Sequence, residues 1–80
     1  MLEKLKAGPK VVGLKQTRRA LDDDRAAQVF LAEDADPRVI EPMEALCEEH
    51  QVPVCHVARM KELGSACGIA VGSAVAALLK

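Results

Sequence analysis

Two short apolar runs on either side of one amphipathic stretch constrain this chain most. Gln28-Val29-Phe30-Leu31-Ala32 is nearly continuous in apolar residues, the pattern of a strand buried on both faces. Pro53-Val54-Cys55-His56-Val57 repeats that pattern. Between them, Asp34-Ala35-Asp36-Pro37 reads as a helix start. Asp36 can cap, and Pro37 suits the first helical position, where its missing N–H costs nothing. Val39, Ile40, Met43, Leu46, Cys47 and His50 follow at helical spacing, as one stripe opposite Glu41, Glu44, Glu48 and Glu49. A strand–helix–strand unit over residues 28–57 implies parallel strands joined by a right-handed crossover.

A parallel pair needs further strands to close its sheet. Lys10-Val11-Val12, broken by Gly13, supplies one, and Ser73 to Leu79, small and apolar enough for either a strand or a helix, is read as another because the sheet needs it. Leu2 and Leu5 suit a brief helix ended by Gly8-Pro9. Lys15 to Leu21 reads as a helix with Leu14, Ala20 and Leu21 as its apolar contacts, stopped by Asp22-Asp23-Asp24. Met60 to Ala66 is a short helix closed by Gly68. The expected architecture is α/β: a three-layer α/β/α sandwich around a small mixed sheet of about four strands. Eighty residues, half of them apolar, make one domain over 1–80. A domain of this size buries only about 60–65% of its unfolded surface, so modest stability is expected.

Several function classes recede on composition and spacing. The most apolar stretch, Ile69 to Leu79, falls far short of the ~20 residues of a spanning helix. The first residues carry no signal-peptide apolar run, so cytoplasmic residence is expected. Cys47, Cys55 and Cys67 are odd in number and form no C-x-x-C, which speaks against a disulfide framework. Cys47, His50, Cys55 and His56 invite a zinc reading. Neighbours in a strand point to opposite faces, which removes either Cys55 or His56, and no second tight pair exists. The same alternation keeps Cys55 and His56 from acting as nucleophile and base. Ser65 and Ser73 lack a G-x-S-x-G context. No enzyme, metal or cofactor is expected.

Charge is unevenly spread. Lys4, Lys6, Lys10, Lys15, Arg18 and Arg19 lie within the first twenty residues, opposed by Glu3 alone. The middle, from Leu21 to His50, is strongly acidic. This asymmetry fits a polyanion-facing edge, although ordinary solvated surface also produces such runs. Within the basic part, Gly13-Leu14-Lys15-Gln16-Thr17-Arg18-Arg19 places a helix start directly after a strand break. Exposed N–H groups at a helix N-terminus attract phosphate. Lys15 sits there against the helix dipole, so helix stability does not account for it. Gln16 offers a donor and an acceptor to a base edge. Arg19 lies one turn on, on the same face. A second segment, Val57-Ala58-Arg59-Met60-Lys61, follows a strand at the edge where ligands of open α/β sheets bind. Phe30 is the sole aromatic residue and falls in a buried strand, which argues against base stacking on the sheet. RNA, if bound, is bound by shape, phosphates and selected base edges.

Three segments in order resemble the kink-turn RNA-binding ribosomal proteins of the L7Ae type, and among these the small bacterial YbxF-like branch. Gly13-Leu14-Lys15-Gln16-Thr17-Arg18-Arg19 resembles the family's G-x-N-E-x-x-K. Leu31-Ala32-Glu33-Asp34-Ala35-Asp36-Pro37 resembles its L-A-x-D-x-x-P. Lys61-Glu62-Leu63-Gly64-Ser65-Ala66-Cys67-Gly68 resembles its K-x-x-L-G-x-A-x-G. The resemblance implies a monomeric RNA-binding protein that recognises a kink-turn with tandem sheared G·A pairs. Its partner would be ribosomal RNA, a riboswitch or a small RNA, with the ribosome itself in view. By the same resemblance Gly13, Lys15, Gln16 and Arg19 face the G·A pairs, and Leu14 and Arg18 count with them as RNA-binding. Val57, Ala58, Arg59 and Met60, with Asp36 and Val39 or Ile40 nearby, surround an extruded nucleotide, and Lys61 counts with them as RNA-binding. Lys15, Gln16 and Arg19 depart from the archaeal Asn, Glu and Lys. A protein-interaction or ribosome-assembly module of the same fold, without RNA binding, is the competing class.

Overall fold

The computed structural model describes residues 2–80, with side chains from Glu3 onward. The elements run α1 (Leu2–Ala7), β1 (Lys10–Val12), α2 (Leu14–Asp22), β2 (Ala26–Ala32), α3 (Pro37–Glu49), β3 (Val54–Val57), α4 (Met60–Ala66) and β4 (Val75–Leu79). Leu2, read with Leu5 as suiting this first helix, has its side chain outside the described residues. The sheet order is β1-β4-β2-β3. β4 is antiparallel to both neighbours, and β3 is parallel to β2. The last strand therefore lies in the middle of the sheet and joins the β2–β3 pair to β1.

Strand alternation sorts the core into two layers. Phe30, Ala32 and Ala76 point to one face, where they meet Leu5 of α1 and Leu63 and Ala66 of α4. Val29, Leu31, Val75 and Ala77 point to the other, where they meet Ala20 and Leu21 of α2 and Met43 and Cys47 of α3. This is the α/β/α sandwich that the sequence implies. Asp36 caps α3 as expected: its side chain accepts from the Arg38 N–H at 2.9 Å, with Pro37 at the first helical position. Cys47 is fully buried on the α3 side, and burial pushes its thiol up to about 11.

Three expectations are corrected. β3 is an edge strand, not a second fully buried one. It pairs with β2 alone, and Val54 and Cys55 stay half-buried while His56 is exposed. His50 does not extend the apolar stripe of α3. It stands at the helix C-cap with Nε2 3.7 Å from Asp22 Oδ1. Leu14 is not an apolar contact of α2 with the sheet, because it is 44% exposed. The buried stripe of that helix is Thr17, Ala20 and Leu21. Among the described residues no helix is long and apolar enough to cross a membrane, and no group of three or more His, Cys, Asp or Glu is arranged to hold a metal ion.

Candidate nucleic-acid interface

The sheet topology brings the two basic segments to one edge. β1 and β2 are both antiparallel to β4, so they run parallel to each other, and β3 runs with β2. The C-terminal ends of all three strands lie at the same edge. Each is followed by a helix, so α2, α3 and α4 all begin there. Hydrogen bonds tie the edge together. The Gly13 N–H donates to Val75 O at 2.9 Å, and the Glu33 N–H to Val57 O at 2.7 Å. The Met60 N–H donates to Asp34 Oδ1 at 2.7 Å, and the Ser73 N–H to Met60 O at 3.0 Å.

The three helix starts differ in what their amides have available. α3 is capped by Asp36, and the first amide of α4 is taken by Asp34. α2 has Gly13 as its N-cap residue, no side-chain cap and no acidic residue in its first turn. The positive end of its dipole and the amides of Leu14, Lys15 and Gln16 therefore remain open to an anion. Gly13 takes φ 100° and ψ 160°, a conformation open essentially to glycine alone. A Cβ there would meet nothing within 4 Å, so the backbone angle, not crowding, demands the glycine.

Around this start Lys15, Gln16, Arg18 and Arg19 are all exposed. Lys15, Arg18 and Arg19 line one shallow hollow with Asp22 and Asp23. The ion pairs separate these cations from others on the chain. Arg25 pairs with Asp23 at 3.4 Å, Arg38 with Asp36 at 2.8 Å and Lys80 with Asp24 at 2.9 Å. Among the described residues Lys15, Arg18, Arg19, Arg59 and Lys61 enter no ion pair. Asp36 is thus engaged twice, by the α3 cap and by Arg38. The Arg38 guanidinium holds its carboxyl below the usual carboxylate range.

The apolar side of the edge differs in detail from the sequence reading. Val57 is 5% exposed and belongs to the core, because its strand alternation turns it toward α4. Ala58 and Arg59 are exposed and Met60 is half-buried. Met60 packs against the α1/α4 core cluster, and Ile40 packs against that cluster and the α2/α3 one. Val39 instead turns toward α2, lining a groove with Leu14, Arg18, Pro42 and Leu46. Ile69 and Val71, 37% and 70% exposed, were not singled out from the sequence. Their loop packs on the start of α4: a Cβ on Gly64 would run into the Val71 carbonyl, and one on Gly72 would lie 3.1 Å from Met60 Cβ. The signal that marks them is an apolar run, Ile69-Ala70-Val71, held between Gly68 and Gly72 outside any element. Asp34, which anchors Met60, was legible only as part of a helix-start cluster.

In sequence and in fold the chain is similar to known proteins. The family model described as "Ribosomal protein L7Ae/L30e/S12e/Gadd45 family" matches residues 2–80. The chain is 50% identical over 76 residues to RNA-binding protein YbxF of Geobacillus stearothermophilus, covering 95% of this chain and 93% of that one. It is 41% identical over 69 residues to an RNA-binding protein of Bacillus pumilus, covering 86% and 84%. Among solved structures, a Giardia lamblia 15.5kD RNA binding protein superposes with a TM-score of 0.91 at 27% identity, covering 99% of this chain and 70% of its own. A Bacillus halodurans C protein of unknown function shares the fold at TM-score 0.89 and 23% identity, covering 99% of this chain and 83% of its own. The chain belongs to the ribosomal protein L7Ae/L30e/S12e/Gadd45 family.

Proposed function

We propose that this protein binds structured RNA and recognises a kink-turn with tandem sheared G·A pairs. The observation that carries the reading is the uncapped start of α2, with Gln16 and three unpaired cations exposed around it. The open amides and Lys15, Arg18 and Arg19 suit phosphates on either side of a sharp backbone turn. Gln16 suits a base edge that a regular A-form groove would hide. Ala58, Ile69 and Val71 are exposed and Met60 half-buried in the loops at this edge, and in this reading they receive a nucleotide turned out of its stack. The names of the relatives as RNA-binding proteins support the same class. This reading calls on no catalytic residue and no cofactor, and in it the protein acts as a cytoplasmic monomer. Ribosomal RNA, a riboswitch and a small RNA all present the motif, and the first would associate the protein with the ribosome.

A gel shift tests the reading. An RNA carrying the tandem G·A pairs is compared with one in which they become Watson–Crick pairs. Selective retardation of the first is expected, and equal retardation overturns the reading. One observation favours the competing protein-interaction class: the exposed Leu14 and the groove it shares with Val39, Pro42 and Leu46. In that case neither RNA is retarded.

A further inference from the structure

The α1/α4 layer carries a second set of cations that the helix-start site does not use. Lys6 of α1 and Lys61 of α4 line one groove on this face, with Ser65 and Ala66 along its floor and Glu62 beside them. Lys10 joins them from β1. It is in register with Leu78, and Leu78 packs on the α1/α4 core cluster, so Lys10 points to that face. Its Nζ lies 3.5 Å from the Lys6 carbonyl oxygen. Among the described residues none of the three enters an ion pair. Glu62 is the carboxylate in the groove, and its place in the first turn of α4 complements that helix dipole.

The lysines form a stripe continuous with the edge. Arg59 and Lys61 stand at the start of α4, where the edge is. Lys10 stands at the start of β1, at the opposite end of the sheet. Lys6 lies between, against the length of α4 from Lys61 to Ala66. On the other helical layer, α3 has the opposite sign. α3 shows solvent Glu41, Glu48 and Glu49, with Glu44 beside His56 at 3.5 Å and Arg38 already paired. A nucleic-acid stem leaving the edge is repelled on the α3 side and attracted on the α1/α4 side.

We propose that Lys6, Lys10 and Lys61 form a second RNA-contact surface, which tracks the phosphate backbone of one stem flanking the recognised loop. It rests on the RNA-binding reading above and adds to it a sequence-independent, salt-sensitive contact to duplex. A flat row of lysines makes point contacts with phosphate, not forked ones, and so carries no base specificity. The surface determines on which side of the protein the stem lies, and it contributes affinity only where the stem is long enough to reach Lys10.

The test uses the full chain and two RNAs with the same G·A-containing loop, one with an extended stem and one with that stem trimmed close to the loop. Wild type, the triple variant Lys6→Gln/Lys10→Gln/Lys61→Gln, the double variant Lys6→Gln/Lys61→Gln and the control Lys80→Gln are titrated over a range of salt, after circular dichroism confirms the fold. The double variant leaves β1 untouched in case Lys10 matters for folding. On the extended RNA, the triple variant is expected to bind about ten-fold or more weakly at moderate salt, with the salt slope reduced by about two. On the trimmed RNA it should lose no more than the single variant Lys61→Gln, titrated alongside because Lys61 also borders the loop site, and Lys80→Gln should match wild type on both. Equal affinity and slope for wild type and both variants on the extended RNA overturns the stripe. So does a loss with Lys80→Gln as large as that of the double variant, since the effect is then net charge. If wild type does not prefer either G·A RNA to its Watson–Crick counterpart, the RNA-recognition reading itself falls. A preference that survives in a triple variant indistinguishable from wild type defeats the stripe alone.

Discussion

At the residue scale, Thr17 and Leu14 show where side-chain type misleads. Thr17 is fully buried and its hydroxyl has no hydrogen-bond partner, whereas Leu14 is 44% exposed. Leu14 lies three residues before Thr17 on the stripe that Ala20 and Leu21 continue, so helical spacing alone places it inside. Its helix, however, starts at the very end of the sheet, and the first turn reaches past the strands that cover the rest of the stripe. Burial of an unpartnered hydroxyl costs about 1–3 kcal/mol. Thr17→Val keeps the branched shape and removes that group, so it should raise the melting temperature by several degrees in a thermal scan. Melting at or below the wild-type temperature would show that the hydroxyl has a partner. The contact residues carry a different expectation. Gln16 and Arg19 are exposed and make no contact that holds the fold, so Gln16→Ala and Arg19→Ala should each leave circular dichroism unchanged. Arg19→Ala should weaken binding to a G·A-containing RNA by about 1.5–3 kcal/mol, the worth of a hydrogen bond involving a charged group, and Gln16→Ala by about 1–3 kcal/mol, the cost of leaving a base edge without its partner. Two variants with wild-type affinity and normal spectra would remove this helix start from the interface.

At the element scale, helix starts and apolar runs were readable because each rests on local chemistry. Asp36-Pro37 opens α3 where capping and ring geometry require it, and Gln28 to Ala32 lies within β2. The strand order was not readable in the same way. Nothing local tells Val75–Leu79 to sit between β1 and β2, since that depends on which edges remain open once the parallel pair has formed. The half-exposed state of β3 follows from the same non-local fact. The candidate site inherits this division. Its basic segment was visible as a run of residue types, but the loop from Ile69 to Val71 reaches the site only because β4 is central and returns the chain to the edge. Met60 tests that assembly. Its N–H is held by Asp34 and its carbonyl accepts from the Ser73 N–H, so the backbone of the two loops meets at this residue. Met60→Asp keeps both backbone bonds while placing a carboxylate among Arg59, Lys61 and the apolar residues. Binding to a G·A-containing RNA should fall by ten-fold or more, with a loss of melting temperature small by comparison. Normal binding, or a failure to bind that coincides with unfolding, would detach this loop from the function.

At the scale of the whole molecule, the charge pattern determines which RNA shapes the protein tolerates. The net charge is −1, so long-range attraction to a polyanion is weak and any affinity must come from local placement. Phosphate neutralisation alone gives a salt slope near 0.7–0.9 per phosphate contacted and does not distinguish a kinked loop from straight duplex. Discrimination comes from geometry. The open amides of α2, the edge of Gln16 and the apolar loop lie along one rim of the sheet, and the acidic outer face of α3 lies on one side of that rim. A straight duplex laid across the rim buries its base edges in a deep, narrow groove and brings phosphates toward the α3 carboxylates. A kinked strand presents G·A edges to Gln16, releases a nucleotide toward Met60 and Val71, and carries its stems away from α3. A protein that favours one shape of a flexible RNA shifts the population toward that shape by its differential affinity. An RNA labelled at both stem ends should therefore shorten on titration with the protein at moderate salt, read by energy transfer. The version with Watson–Crick pairs in place of the G·A pairs should stay extended and bind weakly. Binding without shortening would mean that the rim accepts straight RNA, and equal affinity for the two RNAs would mean that phosphates, not shape, account for all of the binding.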